Sequence, residues 1–275
     1  MITTTSDPER VDWHRASAEA AISIRDLSIS YLRNDDERVD VTAGFDLDVR
    51  RGEFLTLIGP SGCGKTSILR AIGGLQKPTT GAVTVLGEPL TGPRPRDISY
   101  IFQDFALFPW RTALANVEIA LRFTSVPRRQ HRQRALEALE LVGLADEADR
   151  YPRELSGGMQ QRVAVARGLV SNSEVLLLDE PFGALDEQTR LILGTELARI
   201  LEQTGKTIVF VTHSLQEAVF LSTRIVLLSK RPCAIKEIID VPLTRPRHPD
   251  QVTGAVGQRI QQTLFNGLYS ESTGA

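Results

Sequence analysis

The sequence predicts an α/β fold built on a mainly parallel sheet covered by helices on both faces. Three observations predict it. Short, almost wholly apolar runs (FLTLIG, EVLLLD, TIVFVT, RIVLLS) recur along the chain, and helix-length segments separate the last three. A glycine-rich segment joins the first of these runs to a helical pattern. A long middle block reads as helix rather than strand.

Taken in order, residues 1–20 are polar and rich in Ser, Thr and Asp, which predicts a loose extension. AISIRDLSISY alternates apolar and polar residues and predicts a strand. NDDERVD reads as a charged turn, and FDLDV as a further alternating strand. FLTLI is a short buried strand. A helix is expected over Lys65–Ile72, ended by Gly73 and Gly74. Short strands follow near Val83–Val85 and Ser99–Phe102. From Ala113 to Gly168 the pattern is mostly helical, with Leu136, Leu139 and Val142 on one face. Strand and helix then alternate, with helices over Glu187–Gln203 and from Leu215. The Pro/Arg-rich segment RPRHPD leads into an expected helix over Val252–Leu268. The domain reading is an extension at 1–20, a main body at 21–245 with a helical subdomain at about 105–168, and a helical tail at 246–275.

Composition narrows the function. Of 275 residues 41% are apolar and 24% charged, and the net charge of -2 lacks the basic bias of most nucleic-acid binders. No run approaches the ~20 apolar residues of a spanning helix, and MITTTSDPERVDWHR has no secretory apolar core. Two cysteines, Cys63 and Cys233, make no disulfide framework and suggest a reducing compartment. A cytoplasmic location follows as an expectation, with any work at a membrane done through a partner.

The strongest local signal is LTLIGPSGCGKTSILRAI. Gly59, Gly64, Lys65 and Thr66 fit G-x-x-x-x-G-K-[ST] between a buried strand and a helix, the context this phosphate-binding loop requires. Glycines let successive N–H groups converge on phosphate oxygens. The helix N-terminus adds positive potential there. Lys65 supplies a point charge, and the Thr66 hydroxyl suits Mg²⁺, which prefers oxygen ligands. Gly59, Pro60, Ser61, Gly62, Cys63, Gly64, Lys65, Thr66 and Ser67 are the candidate nucleotide-binding residues. Cys63 reads as a small filler, open to thiol reagents when nucleotide is absent. Downstream, EVLLLDEP ends a buried strand in two acids, where ligands bind in such sheets. Asp179 is the candidate Mg²⁺ residue. Glu180 is the candidate for polarising a water in line with the γ-phosphate.

Leu155-Ser156-Gly157-Gly158-Met159-Gln160 then forms a second anion-binding nest at a predicted helix start. This segment resembles the LSGGQ signature of ABC transporter ATPases, with Met159 at the usual fifth-position Gln. Other features fall in the same order. Gln103 resembles the Q-loop glutamine that senses Mg²⁺ and γ-phosphate. Gly183-Ala184-Leu185-Asp186 resembles the D-loop, and His213 the switch histidine. Tyr31 resembles the aromatic that stacks on adenine. His14, His131 and His248 lack such a setting and read as surface residues. The resemblance spans about Ile22 to Arg231.

The resemblance implies a P-loop ABC-type ATPase fold with a mainly parallel core sheet, an antiparallel β subdomain and a helical signature subdomain. It implies ATP and Mg²⁺ as cofactors, with Gln103 joining Thr66 and Asp179 at the metal. It further implies catalytic roles for Glu180, His213 and Gln103, and a head-to-tail pair in which Ser156, Gly157 and Gly158 contact the ATP held by a second copy. Partners would be integral membrane permease subunits and, indirectly, a solute-binding protein. The location would be the cytoplasmic face of the cell membrane, with no nucleic acid bound. Leu107-Phe108-Pro109-Trp110 and the Pro/Arg tail resemble the importer branch for nitrate, sulfonate and taurine. Phe105, Phe108 and Trp110 are candidates to line a groove for a permease helix. The rival reading is a non-transport ABC ATPase acting on nucleic acid or ribosomes.

Overall fold

The computed structural model describes residues 20–32 and 37–273. The extension expected over residues 1–20 lies outside the described residues but for Ala20, as do His14 and the first part of the NDDERVD segment.

Two sheets carry the fold. In the first, β1 (Ala20–Leu32) lies between β2 (Arg38–Arg50) and β4 (Thr80–Val85), and β5 (Glu88–Pro89) pairs with β4; every pairing is antiparallel. The expected charged turn is shorter than its composition suggests. Arg38, Val39 and Asp40 are strand residues opposite Leu32, Tyr31 and Ser30. Across the ladder Ser30 Oγ donates to Asp40 Oδ1 at 2.7 Å, and along β2 Arg38 Nε lies 2.9 Å from the same oxygen.

The second sheet has the order β10-β9-β3-β8-β7-β6. Its strands are β3 (Phe54–Ile58), β6 (Ile98–Ile101), β7 (Val175–Asp179), β8 (Thr207–Val211), β9 (Arg224–Leu228) and β10 (Ile235–Asp240). All pair in parallel except β10 with β9. Every residue of β3, β7, β8 and β9 is buried, as near-continuous apolar runs require in a sheet covered on both faces. The edge strand β10 is a correction to the sequence reading. Its residues IKEIID are half-buried or exposed, so their composition reads as surface.

Helix α1 (Lys65–Ile72) follows β3 and ends at Gly73; Gly74 then takes φ +68°. The middle block folds as α2 (Ala113–Glu118), α3 (Arg128–Leu141) and α4 (Gly157–Val170), which pack on one another, with Leu139 and Val142 buried among them. Thr112 caps α2 by accepting from Ala115 N at 3.2 Å. The far end of α4 is pressed against the sheet. An added Cβ at Gly168 would lie 2.4 Å from Ile101 Cγ1, and Ser99 Oγ donates to Gly168 O at 2.8 Å. Helix α5 (Glu187–Thr204) follows β7, and α6 (Leu215–Leu221) follows β8. The single C-terminal helix expected is two, α7 (Pro249–Thr253) and α8 (Ala255–Thr273), because Gly254 between them is extended.

One buried ion pair ties the sheets together. Arg224 Nε lies 2.8 Å from Glu53 Oε1, with side chains only 3% and 5% exposed, and Arg224 also donates to Asp48 O on β2. Burial pushes the Glu53 carboxyl up, against the pull of Arg224. Among the described residues no helix is long and apolar enough to cross a membrane.

Candidate active site

Because β3, β8, β7 and β6 are neighbours in parallel, their carboxyl ends share one edge of the sheet. The phosphate loop leaves β3, Thr212 and His213 leave β8, Asp179 and Glu180 end β7, and Gln103 follows β6. Residues far apart in sequence thus meet along four adjacent strand ends.

The loop is tightly fitted. An added Cβ at Gly59 would lie 2.9 Å from Leu228 Cβ, and one at Gly64 (φ +125°) would lie 2.4 Å from Val41 Cγ1, so neither position admits a side chain. Lys65 curls back over the loop, its Nζ donating to Gly59 O at 2.8 Å and Pro60 O at 3.0 Å. Ser61 and Gly62 are exposed at the top. Cys63 is 1% exposed, which corrects the expectation that it is open to reagents: its side chain packs downward into the core below the loop.

Behind the loop, Thr66 Oγ1 donates to Asp179 Oδ1 at 3.0 Å, and the Tyr100 hydroxyl donates to Asp179 Oδ2 at 3.1 Å. Asp179 is 1% exposed. Burial raises its pKa and the nearby Glu180 charge adds to this, while the Thr66 and Tyr100 hydrogen bonds oppose it. Burial and Asp179 likewise push the Tyr100 phenol up. A buried carboxylate and a hydroxyl side by side form an oxygen-only donor set that fits Mg²⁺.

Glu180 has φ +46°, a left-handed backbone that a glutamate rarely adopts. The turn is held by Glu180 N donating to Val211 O at 3.0 Å. It carries the carboxylate out of line with the strand to where Gln103 Nε2 donates to Glu180 Oε2 at 3.3 Å and His213 Nδ1 lies 3.3 Å from the same atom. His213 is otherwise open, its side chain 65% exposed. Below it, Thr212 Oγ1 donates to Glu217 at 2.5 Å, and Arg190 lies 3.4 Å from Glu217.

Gln161 is a residue the sequence reading passed over. It is 2% exposed on α4; its Nε2 donates to Glu180 O at 3.2 Å and its Oε1 accepts from Ala184 N at 2.9 Å. Tyr100 is another. A glutamine just past a glycine nest was the available signal for the first; the second had none, since an aromatic in a strand reads as core.

Ser156 caps α4, its Oγ accepting from Met159 N at 3.3 Å, and Gly157 lies open to solvent. Among the described residues no hydrogen bond joins Ser156, Gly157 or Gly158 to the phosphate loop of the same chain. Tyr31 is half exposed at the end of β1, its hydroxyl 3.2 Å from Ser67 Oγ and donating to Gln76 Oε1 at 2.8 Å, so it stands beside α1 rather than in the core. His131 Nε2 lies 2.9 Å from Val126 O, and His248 is exposed before α7.

A groove of about 560 Å³ opens between the sheet edge and the helical block. Phe108 lines it with Phe102, Ile119 and Phe123. Trp110 instead stands 70% exposed beside Phe108, their rings 5.6 Å apart. Arg167 fixes the rim by donating to Ala106 O at 2.6 Å and Phe105 O at 2.7 Å.

Comparison with known proteins agrees with this geometry. The ABC transporter family model matches residues 42–183. An uncharacterised ABC transporter ATP-binding protein of Methanocaldococcus jannaschii is 49% identical over 210 residues, 76% of this chain and 78% of the relative. A spermidine/putrescine import ATP-binding protein of Thermobifida fusca is 44% identical over 98% of this chain and 73% of the relative. A nitrate import ATP-binding protein of Synechococcus elongatus is 47% identical over 73% of this chain, but only 31% of the relative's length is covered. Among solved structures, a dimeric ATP-binding cassette in a post-hydrolysis state, bound to ADP and Pi, superposes with a TM-score of 0.75 at 34% identity, covering 81% of this chain and all of that one. A phosphate loop, an acid pair at a buried strand's end and a glycine nest at these places, in a chain with these relatives, make this protein an ATP-hydrolysing cassette of the ABC transporter family.

Proposed function

We propose that the chain is the ATPase subunit of an importer for a small anion such as nitrate, a sulfonate or taurine, working as a head-to-tail pair on the cytoplasmic face of a membrane permease. The observation that carries the hydrolytic part is the Glu180 carboxylate held between Gln103 and His213, each at 3.3 Å, next to the Asp179–Thr66 pair.

In this reading the loop N–H groups of residues 61–66 and the Lys65 ammonium hold the ATP phosphates. Lys65 must then exchange its carbonyl partners for phosphate oxygens. Thr66, Asp179 and Gln103 would hold Mg²⁺, which would supply positive charge to the bound phosphates. Glu180 accepts a hydrogen bond from a water and points its oxygen at the γ-phosphorus. His213 and Gln103, freed from Glu180, donate to the γ-phosphate. Tyr31 stacks on adenine, consistent with its place beside α1. The open nest of Ser156, Gly157 and Gly158 finds no partner phosphate in its own chain, and a second copy supplies one. ADP cannot make that contact, so the pair closes with ATP and opens after hydrolysis.

The groove lined by Phe102, Phe108 and Phe123 receives a short permease helix, beside the Gln103 segment that reads the nucleotide. Import and an anionic solute are supported by the likeness to the nitrate relative and by the Leu107-Phe108-Pro109-Trp110 segment; the polyamine relative stands on the other side. The nucleic-acid or ribosome reading gains nothing from these relatives. The test is to recover the tagged Glu180→Gln chain from detergent-solubilised native membranes with Mg-ATP. A co-purifying multi-span permease is the expected result, and its binding protein names the solute. Nucleic acid or ribosomes without a membrane protein overturn the transport reading.

A further inference from the structure

The chain has two cysteines, and the fold brings them together. Both are free and each is 1% exposed. Cys63 lies in the phosphate loop, just before the start of α1. Cys233 lies between β9 and β10, where its N–H donates to Val41 O at 2.7 Å and its carbonyl accepts from Thr42 Oγ1 at 2.7 Å. The two side chains lie in one buried cluster and shift one another's titration, Cys63 downward and Cys233 upward. A Cβ built on Gly64 would lie 3.8 Å from Cys233 Cβ, which puts the floor of the loop directly against this second thiol. Neither sulfur has a part in binding or hydrolysis as proposed above.

We propose that Cys63 and Cys233 are a reversible redox site, closing into an intrachain disulfide that disables the phosphate loop when a hydroperoxide acts as oxidant. The surroundings favour the first step. Interaction with Cys233, with the Lys65 charge and loop N–H groups adding and burial opposing, pulls the Cys63 thiol down to about 6, which favours its thiolate form. A thiolate at a helix N-terminus beside a cation is the nucleophilic form of cysteine. Cys233 is pushed up by its proximity to Cys63 and by burial, so it holds the proton.

The chemistry balances. The Cys63 thiolate attacks one peroxide oxygen, the O–O bond breaks, and the released hydroxide takes a proton as water. Cys63 is now a sulfenic acid. The Cys233 sulfur then attacks the Cys63 sulfur, the S–O bond breaks, and the hydroxide leaves as water with the Cys233 proton. Two thiols have lost two electrons, and one peroxide has become two waters. Hydrogen peroxide would reach the buried thiolate past the exposed Ser61–Gly62 tip.

The bridge disables the loop through geometry. Two free thiols must close to about 2.05 Å, with a fixed torsion, to form the bridge. Cys233 is anchored to β2 by two hydrogen bonds, so the loop has to move. Gly59 and Gly64 are already packed without slack, so the movement turns the loop N–H groups away from a common centre.

The test uses the full chain, native, treated with hydrogen peroxide, then mapped by peptide mass spectrometry and assayed for ATP affinity. The expected result is a Cys63–Cys233 cross-linked peptide, an ATP affinity lowered by about tenfold or more (about 1.4 kcal/mol), and recovery with dithiothreitol. Cys233→Ala, which keeps a small apolar group beneath the loop, is expected to bind ATP as the parent does and to keep that affinity after peroxide. Cys233→Ser serves the same purpose if the alanine variant is unstable. Three results overturn the proposal: no intrachain disulfide, a disulfide with unchanged ATP affinity, or an equal loss of affinity in the Cys233 variants, which would place the effect on Cys63 alone.

Discussion

Glu180 adopts a backbone conformation that costs about 1–3 kcal/mol for a residue with a side chain. Gln161 and the Val211 carbonyl hold it there. Replacing Glu180 with Gln keeps shape and hydrogen bonding but removes the base, so ATP binding is expected to persist while turnover falls by about 10²–10⁴-fold. A rate equal to the parent in a phosphate-release assay contradicts the role. Lys65→Ala removes the charge that reaches the phosphates and is expected to weaken ATP binding by about 1.5–3 kcal/mol, read by equilibrium titration. Gln161→Leu leaves the Glu180 carbonyl and Ala184 N–H without their buried partner. Turnover is expected to fall by about tenfold or more with ATP affinity intact. Lys65, Asp179 and Glu180 were legible in the sequence because phosphate chemistry fixes their spacing along the backbone. Gln161 was not, since its meaning lies in a contact with a strand end 19 residues away that only packing brings about.

At the level of elements, the buried runs declared themselves, and all four of β3, β7, β8 and β9 lie where apolar content placed them. The edge strand β10 did not, because an edge strand shares its composition with surface loops. The charged stretch ending at Asp40 misled in the other direction: Arg38 and Asp40 pair along β2, and Asp40 accepts from Ser30 across the ladder. The break at Gly254 was hidden within a pattern that stays helical on both sides. Arg224 pairs with Glu53 and reaches Asp48 O on the first sheet, at a depth where an unpaired charge is expensive. Arg224→Met is therefore expected to lower unfolding stability by about 3–5 kcal/mol. Denaturant titration by circular dichroism checks this, and a change under 1 kcal/mol would refute it.

For the whole molecule, the incomplete site is the informative feature. Among the described residues no hydrogen bond joins the nest of Ser156, Gly157 and Gly158 to the phosphate loop of the same chain. Ser156→Arg is expected to abolish ATP-dependent dimerisation, measured by light scattering with Glu180→Gln in the background, while ATP binding to the monomer stays within about twofold. Dimers that still form with ATP would contradict the shared-site arrangement. The motif order of the sequence implies a pair of copies but does not say which aromatics face the groove. Phe123 lines it and Trp110 does not, because that choice depends on how the segment pinned by Arg167 turns.

The contact of Gly168 with Ile101 has one more consequence. It sits at one end of α4, and the serine nest sits at the other. At ~1.5 Å per residue the 14 residues of α4 make an arm of about 21 Å. Tilting that arm by about 15° at its clamped end sweeps Ser156 through about 5 Å, larger than any hydrogen bond it must make or release. Under the proposed shared site, a lever of this ratio would turn a small displacement at the sheet edge into gain or loss of a phosphate contact, and the fulcrum is a glycine because no bulkier residue would let helix and strand come so near.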